Sequence, residues 1–472
     1  MDVKKIIKEL KKHKIKGISD DTRFLRPEDC FVCRKGSKYE GANYIDEAVA
    51  KGAKLILTET EIKGSEIPVL KTTDIETDFP RLLSEFYDYP QRELRLIGIT
   101  GTDGKTTTAT IIDYLLSQKY SSSYIGTNGI RYCDHYEKTS YTTLPLALLI
   151  RTLRLMANKN IRYLTMEVSS QGLVNRRLDG LEFDVAVFTN LTHEHLDTHK
   201  TMDNYLQAKL QLFQMLDRKG VGIVNIDSPY GEFFRHSKLI TYAIEKAADY
   251  RATNIRYQKK YTYFDLLTPK ETHHDLKCNL TGKFNIYNVL AAIITAVHCN
   301  IPTQTIFKAI QSLPKIPGRM ELLTTDEDFQ VFVDFAHTPN ALKEVLSSLR
   351  AETNRLVVVV GAAGGKDRSK RPEMGYVCTS IADWVIFTSE DPREEDPLSI
   401  IADLTKKVSS TNYEIIPDRK QAIHYAIAKA KPKDVIIITG KGNDDYYEEK
   451  GQIHSYSDSE EVLLALNKKR EI

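Results

Sequence analysis

The sequence has no apolar run long enough to cross a membrane. Its longest runs, Val289–Val297 and Leu356–Val360, are far shorter than the roughly 20 residues that a membrane-spanning helix needs. The first ten residues are basic and lack the apolar stretch of a signal peptide, whereas Ile6, Ile7 and Leu10 have the spacing of a helix that packs on its own domain. We therefore expect a cytoplasmic protein without membrane insertion.

The sequence also has few closely spaced cysteines and no strong net charge of either sign. The chain has six cysteines, and only Cys30 and Cys33 form a CxxC pair. No second CxxC or paired histidines accompany it, and the apolar Phe31 and Val32 between the thiols indicate a strand rather than a zinc or redox site. The net charge of +2 and the lack of a basic stripe with interleaved aromatics give no argument for nucleic acid as a partner.

The chain is long enough, at 472 residues, for about three domains of the usual size. It shows no internal repeat and no low-complexity tract. Proline and polar residues interrupt the periodic pattern at Tyr89–Glu93 and again at Pro314–Gly318. These two points predict domains at residues 1–92, 93–316 and 317–472.

Strand-like apolar runs alternate with helical patterns in the second and third of these segments, which predicts the α/β fold class. In the middle segment, the alternation indicates a largely parallel sheet. Its strand candidates are Leu94–Thr100, Arg162–Val168, Phe183–Thr189 and Gly222–Asn225. The last segment predicts a doubly wound sheet, in which ligands favour the carboxyl ends of the strands. Its strand candidates are Gln330–Asp334, Leu356–Gly361, Trp384–Thr388 and Val435–Gly440.

The sharpest local signal is the loop Gly101–Thr107, between a strand and a helix. Its glycines let backbone N–H groups approach phosphate oxygens, Lys105 can neutralise the outer phosphates, and Thr106 offers a hydroxyl to Mg²⁺. The first glycine lies only three residues before Gly104, so the spacing differs from the usual P-loop. The loop predicts nucleotide binding.

Two further segments carry metal-binding side chains. Glu167 ends an apolar run, where a carboxylate can reach the Mg²⁺ of a bound nucleotide. His193, His195 and His199 follow the next strand, but they do not form the HExxH pattern of a zinc hydrolase. We therefore favour a role for these histidines near a magnesium and phosphate site.

Taken in order, segments along almost the whole chain resemble the Mur ligase family, and within it the MurE-type ligases. These segments are Ser19–Arg23, Gly101–Thr107, Thr142–Thr143, Met166–Leu173, Phe188–His199, Tyr205–Lys209, Gly282–Asn288, Pro317–Glu321, Val333–Pro339 and Lys370–Pro372. The resemblance implies a small N-terminal α/β domain for the UDP end of the substrate, a central P-loop ATPase with a mainly parallel sheet, and a C-terminal Rossmann-like domain that brings the amino acid.

The resemblance also implies the reaction. ATP phosphorylates a carboxylate to an acyl phosphate, an amine attacks, and phosphate leaves, so that catalysis is mostly positioning and electrostatic stabilisation. The implied substrates are ATP, an amino acid and UDP-N-acetylmuramoyl-L-alanyl-D-glutamate (UDP-MurNAc-dipeptide), and the implied cofactor is Mg²⁺. The implied setting is peptidoglycan precursor synthesis, by a protein that we expect to be a monomer.

Four residues carry the implied catalytic roles. Lys105 would bind the β- and γ-phosphates, and Thr106 would bind Mg²⁺ together with Glu167 and His195. Lys209 matches a lysine that CO₂ carbamylates, which turns an amine into an anionic oxygen ligand for the metal. Without the resemblance, Lys209 would be interpreted as a surface lysine on an amphipathic helix. The other implied ATP contacts are Gly101, Thr102, Asp103, Gly104 and Thr107 in the loop, Asn285 and Asn288 at the adenine, Arg319 at a phosphate, Asp334 at the ribose, and His337 beside them.

The resemblance assigns further residues to the acceptor. Thr22 and Arg23 would contact the UDP end. Arg177 would bind a peptide carboxylate, since its planar group can donate two parallel hydrogen bonds. The other implied contacts to the muramoyl peptide are Thr142, Thr143, Ser169 and Asn175.

The residues implied to select the incoming amino acid depart from the family pattern for diaminopimelate, Asp-Asn-Pro-Arg. Here the pattern is Glu390–Arg393, which keeps Arg393 for a carboxylate but introduces Asp391, whose charge we expect to repel a second carboxylate and attract an ammonium group. Lys366 replaces an arginine that meets the amino acid, which loses the planar geometry. Two amino acids stay open, meso-diaminopimelate and a basic one such as L-lysine. The remaining implied contacts are Gly440 and Asp444, the latter one methylene shorter than the family's glutamate.

Other departures concern the phosphate loop and the acceptor. Asp103 replaces an asparagine, His193–Glu194 replaces Arg-Asp, and Leu146 and Gln171 replace an acidic residue and a histidine. These changes leave a second function open, a paralogue that joins a different acid and amine in folate-type or specialised metabolism.

A third possibility is a nucleotide-binding regulator without ligase activity. Retention of Lys105, Glu167, His195 and Lys209 argues against it.

Overall fold

The computed structural model describes residues 2–35, 40–62, 64–258, 261–324, 327–351 and 353–470. Within these ranges, no helix is both long and apolar enough to cross a membrane. Internal packing divides the chain into two compact units. The first unit comprises Met1–Ile99, Lys119–Ala186 and Gln211–Val221, and the second comprises Thr100–Gln118, Val187–Leu210 and Gly222–Ile472. The domain boundaries after residues 92 and 316 stay predictions.

The N-terminal part of the first unit is a four-stranded parallel sheet with strand order β1-β2-β3-β4. Helix α1 buries Val3, Ile6 and Leu10, which confirms the amphipathic helix predicted there. The strand predicted for the CxxC segment is confirmed as β2. The elements are α1 Val3–Lys12, β1 Gly17–Ser19, β2 Asp29–Val32, α2 Ile45–Ala50, β3 Leu55–Thr58, β4 Val69–Lys71 and α3 Ile75–Phe86.

A second sheet region of the first unit pairs its strands in the order β5-β9-β6-β7-β8, parallel from β5 to β6 and antiparallel beyond. Because β5 and β9 are parallel, their carboxyl ends lie at one edge, and Glu167 is the last residue of β9. The elements are β5 Arg95–Thr100, β6 Ser122–Gly126, β7 Gly129–Tyr132, β8 His135–Glu137, α5 Leu146–Asn158, β9 Tyr163–Glu167 and α6 Ser170–Val174. Helix α4 Lys105–Ser117, which follows β5 along the chain, belongs to the second unit.

In the second unit, Gly222–Asn225 of β11 starts a sheet region that continues in parallel through β12 to β13 and then antiparallel through β14 to β15. Helix α9 packs against α4, the helix that follows the phosphate loop. The elements of this part of the chain are β10 Phe183–Phe188, α7 Leu196–His199, α8 Met202–Gln214, β11 Leu216–Asn225, β12 Leu239–Ala243, β13 Tyr250–Gln258, β14 Tyr261–Leu267, β15 Thr272–Cys278, α9 Lys283–His298 and α10 Thr303–Ala309. The division between the two units falls within β10, α8 and β11.

The C-terminal part of the second unit is a doubly wound sheet with strand order β16-β17-β21-β18-β19-β20, parallel except for β16. Alternate side chains of β18 are buried on opposite faces, since Val358 and Val360 pack under α11–α13 and Val357 and Val359 under α14 and α15. This confirms the fold predicted for the segment. The elements are β16 Glu321–Leu322, β17 Gln330–Asp334, α11 Pro339–Arg350, β18 Arg355–Val360, α12 Arg371–Ile381, β19 Trp384–Phe387, α13 Pro397–Thr405, β20 Tyr413–Ile415, α14 Arg419–Ala428, β21 Asp434–Thr439, β22 Tyr446–Glu449, β23 Gln452–Ser455 and α15 Asp458–Arg470.

Candidate active site

The phosphate loop of the second unit is built on two glycines. Gly104 has φ +82°, in the left-handed region, and a Cβ there would lie 2.4 Å from Asn288 Oδ1. A Cβ on Gly101 would lie 1.8 Å from Thr189 Oγ1. Helix α4 begins directly after the loop at Lys105, so its N-terminal N–H groups, including those of Thr106 and Thr107, face the loop region. Only glycine lets the loop pass this close to its neighbours.

The residues that follow β10 hold this loop in place. The Asp103 backbone N–H donates to Asn190 Oδ1 (2.9 Å), and Thr189 Oγ1 donates to the Asp103 carbonyl (2.7 Å). The Thr192 N–H donates to Thr102 Oγ1 (3.0 Å). The loop backbone is therefore pre-organised by side chains that the sequence motif alone did not single out.

Lys209 is buried against the phosphate loop. Its side chain is 1% exposed, and its Nζ donates to the Gly101 carbonyl (2.7 Å) and lies 4.4 Å from the centre of the Tyr205 ring. Burial lowers the pKa of Lys209 well below its usual value, and the charge of Lys105 lowers it further. The interpretation of Lys209 as a surface lysine is therefore wrong, and its surroundings favour the neutral amine.

Two cations contact the loop. Lys105 Nζ donates to the carbonyls of Gly101 (3.0 Å) and Thr102 (2.7 Å). Arg319 Nη2 donates to Thr106 Oγ1 (3.0 Å), and its guanidinium lies over the ring of Phe335 at 4.5 Å. A loop with two cationic side chains at a helix N-terminus is suited to an anion of high charge.

The predicted adenine and ribose residues lie in the same unit. Asn288 accepts from Thr108 Oγ1 (3.1 Å) and donates to Asn285 Oδ1 (3.2 Å), which ties α9 to α4. Asp334 accepts from the N–H groups of Met320 (2.7 Å) and Ala336 (2.8 Å). Burial raises the pKa of the Asp334 carboxyl, and nearby Arg319 partly opposes this.

A buried charge network lies beside the loop. Glu194 is 5% exposed and accepts from Lys370 Nζ at 2.7 Å, while His337 Nε2 lies 3.6 Å from its other oxygen. Burial and the charge of Lys370 lower the pKa of His337, which favours the neutral ring. Burial also raises the pKa of Asp103, and the charge of Glu194 adds to this. Lys370 belonged to a recognised motif, but its partner Glu194 was not expected.

The histidines after β10 are arranged differently from one another. His195 is exposed and has φ +57°, and its ring meets Tyr205 edge-on at 5.9 Å. His199 is buried and stacks on Tyr205 at 4.9 Å.

In the first unit, Glu167 organises the predicted acceptor residues. Its carboxylate accepts from the Tyr124 hydroxyl (2.5 Å) and the Thr127 N–H (2.9 Å), and its carbonyl accepts from Thr143 Oγ1 (3.0 Å). Thr143 also accepts from the Ser169 N–H (2.9 Å). Tyr124 was not identified from the sequence, because a tyrosine in a buried strand carries no motif.

The remaining acceptor residues are partly assembled. Arg177 Nη1 donates to the Thr143 carbonyl (2.8 Å), and the hydroxyls of Thr142 and Thr127 share a hydrogen bond (3.2 Å). Asn175 is exposed at the end of α6.

The predicted UDP-end residues lie in the N-terminal part of the same unit. Thr22 is buried, and its carbonyl accepts from Lys51 Nζ (3.0 Å). Arg23 is held by the carboxylate of Asp21 (2.6 Å).

The predicted amino-acid pocket contains an unexpected ion pair. Asp391 Oδ1 accepts from Lys441 Nζ (2.8 Å) and from the Glu448 N–H (3.1 Å). Asp391 is 4% exposed and Lys441 1%. The expected repulsion of a second carboxylate by Asp391 therefore does not follow, because its charge is matched by a buried lysine of the same unit.

Two cations predicted to meet the amino acid lie in the same part of the second unit. Arg393 donates to Glu448 Oε2 (2.9 Å) and to the Gly364 carbonyl (3.0 Å). Lys366 is exposed and follows Gly365, where an added Cβ would lie 3.8 Å from the Arg393 side chain.

The other two residues predicted for the amino acid also lie in this part of the second unit. Gly440 has φ +113°, and a Cβ there would lie 2.4 Å from a Glu390 oxygen. The Asp444 N–H donates to the Lys441 carbonyl (2.9 Å).

Comparison with known proteins agrees with this geometry. The model of the Mur ligase middle domain matches residues 99–296, that of the Mur ligase glutamate ligase domain matches residues 318–442, and that of the Mur ligase catalytic domain matches residues 14–85. The UDP-N-acetylmuramoyl-L-alanyl-D-glutamate--2,6-diaminopimelate ligase of Bacillus velezensis is 38% identical over 469 residues, which cover 96% of this chain and 95% of that protein.

Solved structures give the same result. The structure of a UDP-N-acetylmuramoyl-L-alanyl-D-glutamate--2,6-diaminopimelate ligase is 31% identical with a TM-score of 0.65, covering 97% of this chain and 95% of that one. The MurF ligase of Thermotoga maritima in complex with ADP shares the fold at 18% identity and a TM-score of 0.68, covering 97% and 99%. With family models over three successive segments and a relative of this identity over nearly its whole length, the chain belongs to the Mur ligase family.

Proposed function

We propose that this chain is an ATP-dependent ligase that joins an amino acid to UDP-MurNAc-dipeptide, through an acyl phosphate, in peptidoglycan precursor synthesis. The names of the Bacillus velezensis relative and of the 31% identical structure both describe this reaction with 2,6-diaminopimelate. Because the reaction consumes ATP, we place it in the cytoplasm. The oligomeric state stays a prediction.

The observation that carries the proposal is the cluster of Lys105, Lys209 and Arg319 around one glycine loop at a helix N-terminus. Lys105 and Arg319 are cations, and together with the N–H groups at the start of α4 they favour a polyphosphate over a singly charged ligand. Lys105 and Arg319 would bind and orient the transferred phosphoryl group. This positioning lowers the barrier by aligning the carboxylate with the phosphorus before reaction.

Lys209 fits the proposed carbamate. Its lowered pKa favours the neutral amine, whose lone pair can add to the carbon of CO₂; loss of a proton from nitrogen then leaves an anionic carbamate oxygen. Such an oxygen and the Thr106 hydroxyl suit Mg²⁺, which prefers hard oxygen ligands. When bound, Mg²⁺ would neutralise charge on the phosphate oxygens. The role of Glu167 as a metal ligand stays a prediction.

We favour 2,6-diaminopimelate as the amino acid. Its second carboxylate needs a cation; Lys366 is an exposed one, and Arg393 would exchange its contact with Glu448 for the substrate. Asp391 does not oppose this, since Lys441 matches its charge. L-Lysine has only an ammonium group at that end, which would lie beside the charge of Lys366, while the Asp391 carboxylate is already paired with Lys441.

The test measures phosphate release with ATP, UDP-MurNAc-dipeptide and either meso-diaminopimelate or L-lysine. We expect a clear preference for meso-diaminopimelate, and we expect Arg393→Ala to reduce this preference more than it reduces turnover with L-lysine. A wild-type preference for L-lysine would overturn the assignment of the amino acid. Turnover only with a different acid, such as a folate, would overturn the acceptor and favour the paralogue, and ATP binding without turnover on any acceptor would favour the regulator.

A further inference from the structure

Tyr141 lies in the first unit, in the loop between β8 and α5, and has no assigned role. Its backbone N–H donates to Thr139 Oγ1 (3.1 Å). The two residues after it are also anchored, Thr142 to the Thr127 hydroxyl (3.2 Å) and Thr143 to the Glu167 carbonyl (3.0 Å). The loop therefore holds the Tyr141 ring in a defined place.

The hydroxyl edge of this ring fixes Arg23. Arg23 Nη2 donates to the Tyr141 oxygen (2.8 Å), and the same guanidinium is bound on its other side by Asp21 (2.6 and 3.0 Å). The ring of Phe24 lies 6.0 Å from that of Tyr141. Because the Arg23 side chain is 68% exposed, these contacts restrict a group that would otherwise sample many rotamers.

The face of the same ring fixes Arg177. The guanidinium carbon of Arg177 lies 4.9 Å from the ring centre, and Nη1 donates to the Thr143 carbonyl (2.8 Å). Burial lowers the pKa of Arg177, while Tyr141 opposes this and the positive charge of Arg23 adds to it. The two guanidiniums are thus close enough to repel each other, and one tyrosine contacts both.

We propose that Tyr141 is a positioning residue that holds Arg23 and Arg177 ready for the anionic groups of the acceptor. The inference rests on the proposed function, in which Arg23 meets the diphosphate end and Arg177 a peptide carboxylate. Two flexible cations held in their binding geometry lose less conformational freedom when the ligand arrives, so the gain appears as affinity for the acceptor. The rate of the chemical step and the affinity for ATP do not depend on this contact.

The test uses steady-state kinetics with UDP-MurNAc-dipeptide varied at saturating ATP and amino acid. Tyr141→Phe removes the hydrogen bond to Arg23 and keeps the ring under Arg177, and we expect it to raise KM for the acceptor by about threefold to tenfold. Tyr141→Leu removes both contacts and should raise it by about tenfold to fiftyfold. kcat and KM for ATP should stay within about twofold in both, given that neither contact involves ATP. The control is Tyr136→Phe, since Tyr136 is 58% exposed on β8 of the same unit.

A double-mutant cycle separates positioning from direct contact. In an Arg23→Ala background, Tyr141→Phe should add less than about twofold to KM, because the hydroxyl then has no arginine to hold. An unchanged effect in that background would overturn the proposal, as would equal rises in KM for ATP and for the acceptor or no rise at all. Wild-type turnover with the UDP-linked acceptor tests the proposed function separately, and if Tyr141→Leu does not fold, Tyr141→Phe and the cycle decide the question.

Discussion

Replacing Asp391 with asparagine separates the two interpretations of the amino-acid pocket. The substitution restores the family pattern for diaminopimelate at this position and nearly conserves the side-chain volume. In the structure, however, Asp391 is the partner of Lys441, and both side chains are at least 96% buried. Asp391→Asn would therefore leave a buried ammonium group without its counter-charge.

The expected cost follows from this burial. Removing one partner of a buried ion pair typically costs about 3–5 kcal/mol. Asparagine keeps an oxygen that can accept from Lys441 and from the Glu448 N–H, so we expect the lower end, about 3 kcal/mol. For a domain of this size, that corresponds to a fall of roughly 6–12 °C in the unfolding temperature. The double variant Asp391→Asn/Lys441→Met should recover most of the loss, because the unpaired charge is gone.

Differential scanning calorimetry of the full chain measures these changes, with Glu394→Gln as a control. Glu394 is exposed and carries the same charge three residues away, so its substitution should change stability by less than about 0.5 kcal/mol. The amino-acid preference of Asp391→Asn is measured on the same samples. If Asp391→Asn leaves the unfolding temperature unchanged and moves the preference from L-lysine to meso-diaminopimelate, then the Asp391 charge acts on the substrate, and the ion-pair reasoning is refuted.

Three other residues give shorter tests. Lys209→Ala should abolish phosphate release, with partial rescue by short carboxylic acids. In CO₂-free buffer, the difference in unfolding free energy between the wild type and Lys209→Met should increase with pH up to 10.5, the pKa of lysine in the unfolded chain. Burial lowers the pKa of Lys209 in the folded state, so below pH 10.5 the unfolded chain binds more protons than the folded one. A difference that does not change with pH would contradict the burial of Lys209. Arg319→Ala should raise KM for ATP about tenfold without changing KM for the acceptor, as it removes the contact to Thr106 and a phosphate partner. Lys370→Met should lower stability by about 3 kcal/mol, measured by urea unfolding, because it leaves Glu194 buried without its cation; a neutral result would place Glu194 in solvent.

The parts of the fold that the sequence predicts are those with strong local signals. Leu356–Val360 is an apolar β-branched run, and the structure buries it on both faces of the C-terminal sheet as β18. The antiparallel strands β13–β15 were not predicted. Tyr250–Gln258 and Thr272–Cys278 are mostly polar and half-exposed, so their pairing depends on partners distant in sequence rather than on a periodic pattern.

In the candidate site, too, local motifs were predicted, whereas contacts between residues distant in the sequence were not. The phosphate loop is local, and its glycines and Lys105 were identified directly. The burial of Lys209 depends on its packing against Gly101, more than 100 residues earlier in the chain, and no pattern within α8 reports it. Asp391 and Lys441 are 50 residues apart in the sequence, so the effect of the Asp391 charge on the substrate could not be predicted without knowing that Lys441 pairs with it.

The effect on function of the residues that depart from the family pattern depends mainly on the charged side chains that they contact. Taken singly, Asp103 and Asp391 look like negative charges added beside phosphates and carboxylates, whereas Glu194 replaces another acidic residue. In the structure, Glu194 is paired with Lys370, and Asp391 with Lys441, each by a buried lysine at 2.7–2.8 Å. Burial raises the pKa of Asp103, and the charge of Glu194 adds to this. The charges of Glu194 and Asp391 are thus matched within the protein, so that the site remains suited to ATP and to an amino acid with a second carboxylate.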